Sequence, residues 1–183
     1  MHAERGSGKR RSKEAALAAL YDEYYDKIVR YIFARIGDRA EAEDLAGESF
    51  VKALHSLDSY KERGIPMHAW LFKIAHNLIV DYLRRGAKRK TVPIDTVEVA
   101  EMSDPQAIAE INMKRARLAS ALDQLTPSQR QVIELRFFGG LTSEDAGRIL
   151  NKSSGAVREM QSAAISQLRK LLYENSRPRM RHG

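Results

Sequence analysis

Between Gly64 and Arg85 the apolar residues fall in adjacent pairs four apart: Trp70/Leu71, Ile74/Ala75, Leu78/Ile79 and Tyr82/Leu83. A chain can bury that pattern only as one side of a helix. Pro66 suits the helix start, because its missing N–H would have been an orphan donor there. The opposite side carries Lys73, His76, Asn77, Asp81 and Arg84, a cationic, amide-bearing face on a rigid element. From the residues alone it is either a solvated surface or a recognition surface.

The same period runs through the flanking segments. Residues 1–13 are Gly, Ser and basic side chains without apolar periodicity, which predicts a mobile basic tail. From Glu14, Leu17, Leu20/Tyr21, Tyr24, Ile28, Tyr31/Ile32 and Ile36 trace a first long helix that ends at Gly37. Asp38 is placed to cap a second helix, with Ala42, Leu45/Ala46, Ser49/Phe50 and Ala53/Leu54 inward and Glu41, Glu43, Asp44 and Glu48 outward. Ser56 to Ile65 reads as a loop.

After Arg85 the pattern stops. Gly86, the basic run Lys88–Lys90, Pro93, Pro105 and scattered acidic residues predict a linker over 87–105. Periodicity resumes with Ile108, Ile111, Leu118 and Leu122. Thr126-Pro127-Ser128-Gln129 is a capping box with proline at the first helical position. Val132, Ile133, Leu135 and Phe137 follow, and Gly139-Gly140 ends that helix. Thr142 starts another, which ends at Asn151, a residue tolerant of the left-handed conformation. Ser153 caps a last helix with Val157, Met160, Ala164, Leu168 and Leu171 as its stripe. A short helix, a tight turn and a longer helix make a helix-turn-helix.

Strand signals are scarce, so the class is all-α: two small helical domains, 14–86 and 106–173, joined by a flexible linker, with a basic tail at 174–183. Cysteine is absent and the 5 His show no paired ligand spacing, which predicts no metal and no cofactor. No apolar run approaches the ~18 residues that cross a bilayer, so a cytoplasmic protein without membrane insertion is expected. A formal net charge of +7 favours a polyanionic partner.

Trp-Leu-x-x-Ile-Ala-x-Asn followed by Asp81 and Arg84-Arg85 resembles the promoter-melting segment of the extracytoplasmic function group of sigma-70 family sigma factors. Two further segments are similar to the same group. Ala-Glu-Asp-Leu-Ala-x-Glu-x-Phe (42–50) is similar to the part that docks on the polymerase β′ clamp helices, and Leu122 to Arg136 with Gly155-Ala156-Val157-Arg158 resembles the minus-thirty-five-reading domain. The resemblance implies sigma region 2 and region 4 joined by a linker, with no chemistry of their own and no small-molecule substrate. The implied partners are core RNA polymerase (β′ clamp helices and β flap), promoter DNA and an anti-sigma factor.

Carried over by position, the clamp contacts are Glu41, Glu43, Asp44, Leu45, Glu48 and Phe50. Minus-ten contacts are Tyr60, Trp70, Lys73, His76, Asn77, Arg84 and Arg85, around a pocket for a base flipped from the stack. Extrusion costs a few kcal/mol, which edge contacts and aromatic packing must return. Trp70 is equally suited to the core. Minus-thirty-five contacts are Ser153 and Ser154, whose backbone N–H groups face a phosphate, with Gly155, Arg158, Glu159 and Ser162. The chain departs from the family pattern at Met67-His68, at His76, and in having one early cation, Arg158, on the recognition helix. Two other readings stand beside this one. A LuxR-type helix-turn-helix regulator leaves the acidic second helix unexplained, and an acid–base nuclease using His68, His76 and Asp81 lacks a metal cluster or phosphate loop.

Overall fold

The computed structural model describes residues 2–61, 64–85 and 105–174, and these are helices and short connections without a strand. Their order is α1 (His2–Ile36), α2 (Arg39–His55), α3 (Met67–Arg84), α4 (Pro105–Asp123), α5 (Pro127–Ile133), a π-helical segment (Glu134–Phe138), α6 (Ser143–Leu150) and α7 (Ser154–Glu174). The linker expected at 87–105 lies outside the described residues except Pro105, which opens α4, and so does the tail beyond Glu174.

Local chemistry explains the boundaries. Gly37 ends α1 at φ 77. The Asp38 carboxylate accepts from the Glu41 N–H at 3.1 Å and starts α2. Thr126 and Gln129 close their reciprocal capping box, and the Thr142 hydroxyl accepts from the Asp145 N–H at 3.1 Å. Asn151 leaves α6 in the left-handed conformation, φ 54. Pro66 is the residue before α3 rather than its first; its carbonyl accepts from Trp70 N–H at 2.9 Å.

The structure departs from the sequence reading at several positions, Tyr21 and Leu118 of the expected inward stripes being exposed among them. The segment taken as a mobile tail, 1–13, is helical from His2, because Arg10 and Lys13 find partners on the turn after α2. Phe137, expected inside, is 59% exposed, because the π-helical segment inserts an extra residue per turn and rotates Phe138 inward in its place. Leu54, also expected inside, is 43% exposed.

One core runs through both halves. Ile28, Tyr31, Ile32, Leu71 and Phe72 from α1 and α3 pack with Leu135, Leu141, Ala146 and Ile149 from the second half. A smaller cluster, Leu122, Leu125, Ile133 and Ala164, holds α4, α5 and α7 together. Across the junction, Arg35 at the end of α1 donates to Glu134 at 3.1 Å, and Arg130 donates to the other oxygen of Glu134 at 2.7 Å.

Candidate nucleic-acid interface

The first face is built on α3. Tyr60 is buried; its hydroxyl donates to the Ile65 carbonyl at 3.0 Å and its ring lies 4.9 Å from that of Trp70. Trp70 is half-buried, so it belongs to the packing and to the surface at once. Lys73, Asn77, Arg84 and Arg85 are exposed, with Arg84 donating to Asp81 at 2.9 Å. Asn77 opens onto a cleft of about 400 Å³ shared with Ile74, Lys52 and His55. Lys52 and His55 were missed from sequence; the signal was present as two basic residues in the last turn of α2.

His76 is placed differently from its expected site on the open face. It is half-buried, and its Nδ1 shares a hydrogen bond of 2.9 Å with the Tyr31 hydroxyl. Burial, aided by the Arg35 charge, pushes its pKa down and keeps the ring neutral. Its task in this arrangement is to satisfy the buried Tyr31, not to meet a phosphate.

A larger cleft, about 910 Å³, lies between α1 and the start of α3, walled by Lys13, Leu20, Tyr60, Pro66, His68 and Arg148. His68 stacks on Tyr24 at 5.5 Å and donates from Nε2 to Asp145 of α6 at 3.2 Å. The Asp145 carboxylate also accepts from Thr142 at 2.8 Å and from Arg148 at 3.2 Å, so α6 closes one side of the cleft.

On α2 the acidic residues Glu41, Asp44 and Glu48 are exposed and Glu43 half-buried. Leu45 and Phe50, expected at a partner surface, are core residues, each 8% exposed, with Phe50 edge-on to Tyr21 at 4.9 Å. The apolar surface that α2 offers is Val51 and Leu54 instead. The inward stripe read from the sequence already held Leu45 and Phe50, and of that stripe only Leu54 turns out.

The second face is built on α7. The Ser153 hydroxyl accepts from Ala156 N–H at 3.1 Å, leaving Ser154 and Gly155 in the first turn. Arg158, Glu159 and Ser162 are exposed. A cleft of about 510 Å³ joins Arg158, Gln161, Ser162 and Arg169 to Ser143 and Arg136. Arg136 is held by Gln161 at 2.8 Å and by the Leu141 carbonyl. Arg169 was missed, although it stands three turns beyond Arg158 on the same side, so the helix presents two cations to this cleft. Among the described residues no cluster of His, Cys, Asp or Glu could hold a metal, and no helix is long and apolar enough to cross a membrane.

Residues 20–89 match the family model for Sigma-70 region 2 and residues 121–170 that for Sigma-70, region 4. The ECF RNA polymerase sigma factor BldN of Streptomyces coelicolor is 35% identical over 166 residues, 88% of this chain and 62% of that protein, so the chain spans less than two thirds of its length. The ECF RNA polymerase sigma factor SigL of Mycobacterium tuberculosis is 32% identical over 173 residues, 93% of this chain and 96% of that protein. Among solved structures, CnrH in complex with the cytosolic domain of CnrY has a TM-score of 0.66 at 22% identity, covering 93% of this chain and 96% of that one. The sigma factor RpoE in complex with the anti-sigma factor NepR from Bartonella quintana also has a TM-score of 0.66 at 22% identity, covering 85% and 96%. These two show likeness of fold.

Proposed function

The chain belongs to the extracytoplasmic function group of the sigma-70 family, and from that premise we propose that it is an alternative sigma factor that binds core RNA polymerase and directs transcription initiation at two-part promoters. RNA synthesis is the polymerase's chemistry; this chain supplies recognition and melting. The acidic face of α2, Glu41, Asp44 and Glu48 beside Val51 and Leu54, suits a basic helical partner such as the β′ clamp helices, where complementary charge sets encounter and register. The face bearing Trp70, Lys73, Asn77, Arg84 and Arg85 takes the minus-ten strand, with Tyr60 and Trp70 as the apolar corner that receives an extruded base. Ser153, Ser154, Arg158, Glu159 and Ser162 enter the minus-thirty-five groove, the early turn of α7 holding a phosphate. An anti-sigma factor would act by covering the α2 surface.

The single observation that carries this reading is the presence, in one chain, of two exposed cation-bearing helix faces, on α3 and α7, and an exposed acidic face on α2. The reading also requires a change of shape. Elements about 25 base pairs apart are separated by ~85 Å at about 3.4 Å each, whereas α7, with 21 residues, is about 30 Å long and its module touches the other through His68–Asp145. The closed arrangement therefore opens when polymerase and promoter bind. Residues 86–104, at roughly 3.5 Å per residue, reach about 65 Å, enough once the width of each module is added.

Run-off transcription with purified core polymerase on a library of genomic fragments tests the function. The expected result is initiation from a discrete set of start sites that core enzyme alone ignores. Failure to bind core polymerase, together with tight binding of duplex DNA by the free chain, would replace the reading with an ordinary helix-turn-helix regulator. Opening is tested by labelling Ala40→Cys and Ala163→Cys, in a chain with no native cysteine. The label distance should lengthen by tens of Å in the promoter complex, and an unchanged distance refutes opening.

A further inference from the structure

Six surface glutamates of this chain are paired along their own helices. Glu14, Glu23, Glu43, Glu48, Glu110 and Glu144 each hold a Lys or Arg one turn away, at 2.7 to 3.6 Å. Glu41 and Glu159 hold no cation among the described residues. Glu41 already lies on the face of α2 assigned to a partner. For Glu159 the positions within reach along α7, three and four residues away, are Gly155, Ala156, Ser162 and Ala163. A glutamate that served solubility alone would gain from a cation in one of those four places.

The helix turns Glu159 outward. Val157 and Ala164 are buried, so at about 100° per residue Glu159 stands roughly 200° round from Val157, on the side away from the core. Gly155, Ser162 and Ser166 share that side, and Ala163 borders it. A Cβ on Gly155 would meet nothing within 4 Å but the Ser153 hydroxyl oxygen at 3.8 Å, so its smallness serves no packing inside the chain. Glu159 is therefore the longest side chain on a ridge otherwise cleared of bulk, a shape that lets a helix lie deep in a major groove. The cations stand on its flank, where Arg158 and Arg169 meet Arg136 in the cleft of about 510 Å³. They supply the attraction to phosphate that a lone carboxylate opposes.

We propose that Glu159 selects cytosine at one base pair of the minus-thirty-five element, by accepting a hydrogen bond from the exocyclic amino group. The proposal rests on the reading of α7 as the helix that enters that groove. An ionised carboxylate only accepts. In the major groove cytosine alone presents a donor without an acceptor on the same base: adenine sets N7 beside its amino group, guanine shows N7 and O6, and thymine shows O4 and a methyl group. With no cation on its own helix to neutralise it, the carboxylate is repelled by each of those acceptors. It thus rejects the other three bases as well as rewarding cytosine.

The test uses holoenzyme and promoters in which each base pair of the minus-thirty-five element is replaced in turn by the other three. Relative affinities are measured by competition binding for wild type, Glu159→Ala and Glu159→Gln. Ala and Gln are strong helix formers and the position is exposed, so both variants keep α7, which circular dichroism checks. The expected result is one position at which wild type prefers cytosine by roughly tenfold or more, the scale of one specific base contact. That preference should fall below twofold in Glu159→Ala, with the profile elsewhere retained. In Glu159→Gln the preference at the same position should pass to adenine, whose N6 and N7 match the acceptor and donor of the amide. A Glu159→Ala profile within twofold of wild type at every position, or an equal change at all of them, overturns the proposal. Scrambling the whole element in wild type separates the two levels. If scrambling weakens binding while the Glu159→Ala profile matches wild type, only the cytosine role falls; if scrambling has no effect, α7 is not the reader and the inference falls with it.

Discussion

Replacing Gly147 by alanine should damage the second module, whereas the same change at Gly47 should stabilise the first. Both glycines stand inside helices, α6 and α2, where alanine is favoured by roughly 0.8–1 kcal/mol through propensity. At Gly47 nothing lies within 4 Å of an added Cβ, so the gain is realised. At Gly147 the Cβ would stand 2.5 Å from the Lys152 carbonyl oxygen, where ordinary contact begins near 3.4 Å. That oxygen is backbone and cannot swing aside. It belongs to the turn that the Lys152 N–H fastens to the Gly147 carbonyl at 2.8 Å, and Asn151 fixes its course at φ 54. A forced backbone shift costs about 1–3 kcal/mol and the strained hydrogen bond about 1 more, leaving a net loss of roughly 1–3 kcal/mol after the propensity gain.

At ~2–4 °C per kcal/mol for a chain of this size, Gly47→Ala should melt about 2–4 °C above wild type and Gly147→Ala roughly 3–10 °C below it, read by circular dichroism. Since Lys152 leads directly into the Ser153 cap of α7, Gly147→Ala should also weaken binding to minus-thirty-five duplex in holoenzyme, and Gly47→Ala should not. A Gly147→Ala protein that melts at or above wild type would refute the packing argument.

Other outcomes follow from the same geometry. His76 has its folded pKa depressed below the ordinary ~6.5, so its contribution to stability is present above that value and is lost as pH falls through the folded pKa; the loss of stability between pH 7.5 and 5.5 in urea melts should be smaller in His76→Gln, and an unchanged slope would count against a neutral buried ring. Asn77→Ala should slow open-complex formation while leaving polymerase affinity intact, and equal loss of both would remove it from the melting face. Arg158→Ala should weaken promoter binding by roughly 1–3 kcal/mol if it reads a base with two hydrogen bonds. Arg169→Ala, if it meets phosphate, should instead weaken all sequences alike and lower the salt slope by about one unit; base-selective loss at Arg169 would reverse the assignment. Glu134→Ala should favour the open arrangement, because it takes from the half-buried Arg35 the carboxylate that joins it to the second half, whereas Arg130 keeps Asp123. An unchanged label distance in the free protein would show that this cluster does not hold the modules together.

What the sequence determined by itself was local or periodic. The Asp38, Thr126 and Thr142 caps, the Asn151 terminus and the inward stripe of α3 each depend on residues within a turn or two of one another, and their order along the chain carried the family resemblance. The Asn77 and Arg158 faces were legible for the same reason, since a helix displays what its period dictates. Tertiary structure decided the rest. It packed Phe50 against Tyr21 and Tyr25 of α1 and left Leu54 outside, and it drew His76 inward to answer a buried hydroxyl. It joined Arg35 to Glu134 and Lys13 to the Leu57–Tyr60 turn. Hydrophobic period names a face but not what covers it, and a cation's partner depends on where the chain returns in space, a distance that no spacing between letters encodes.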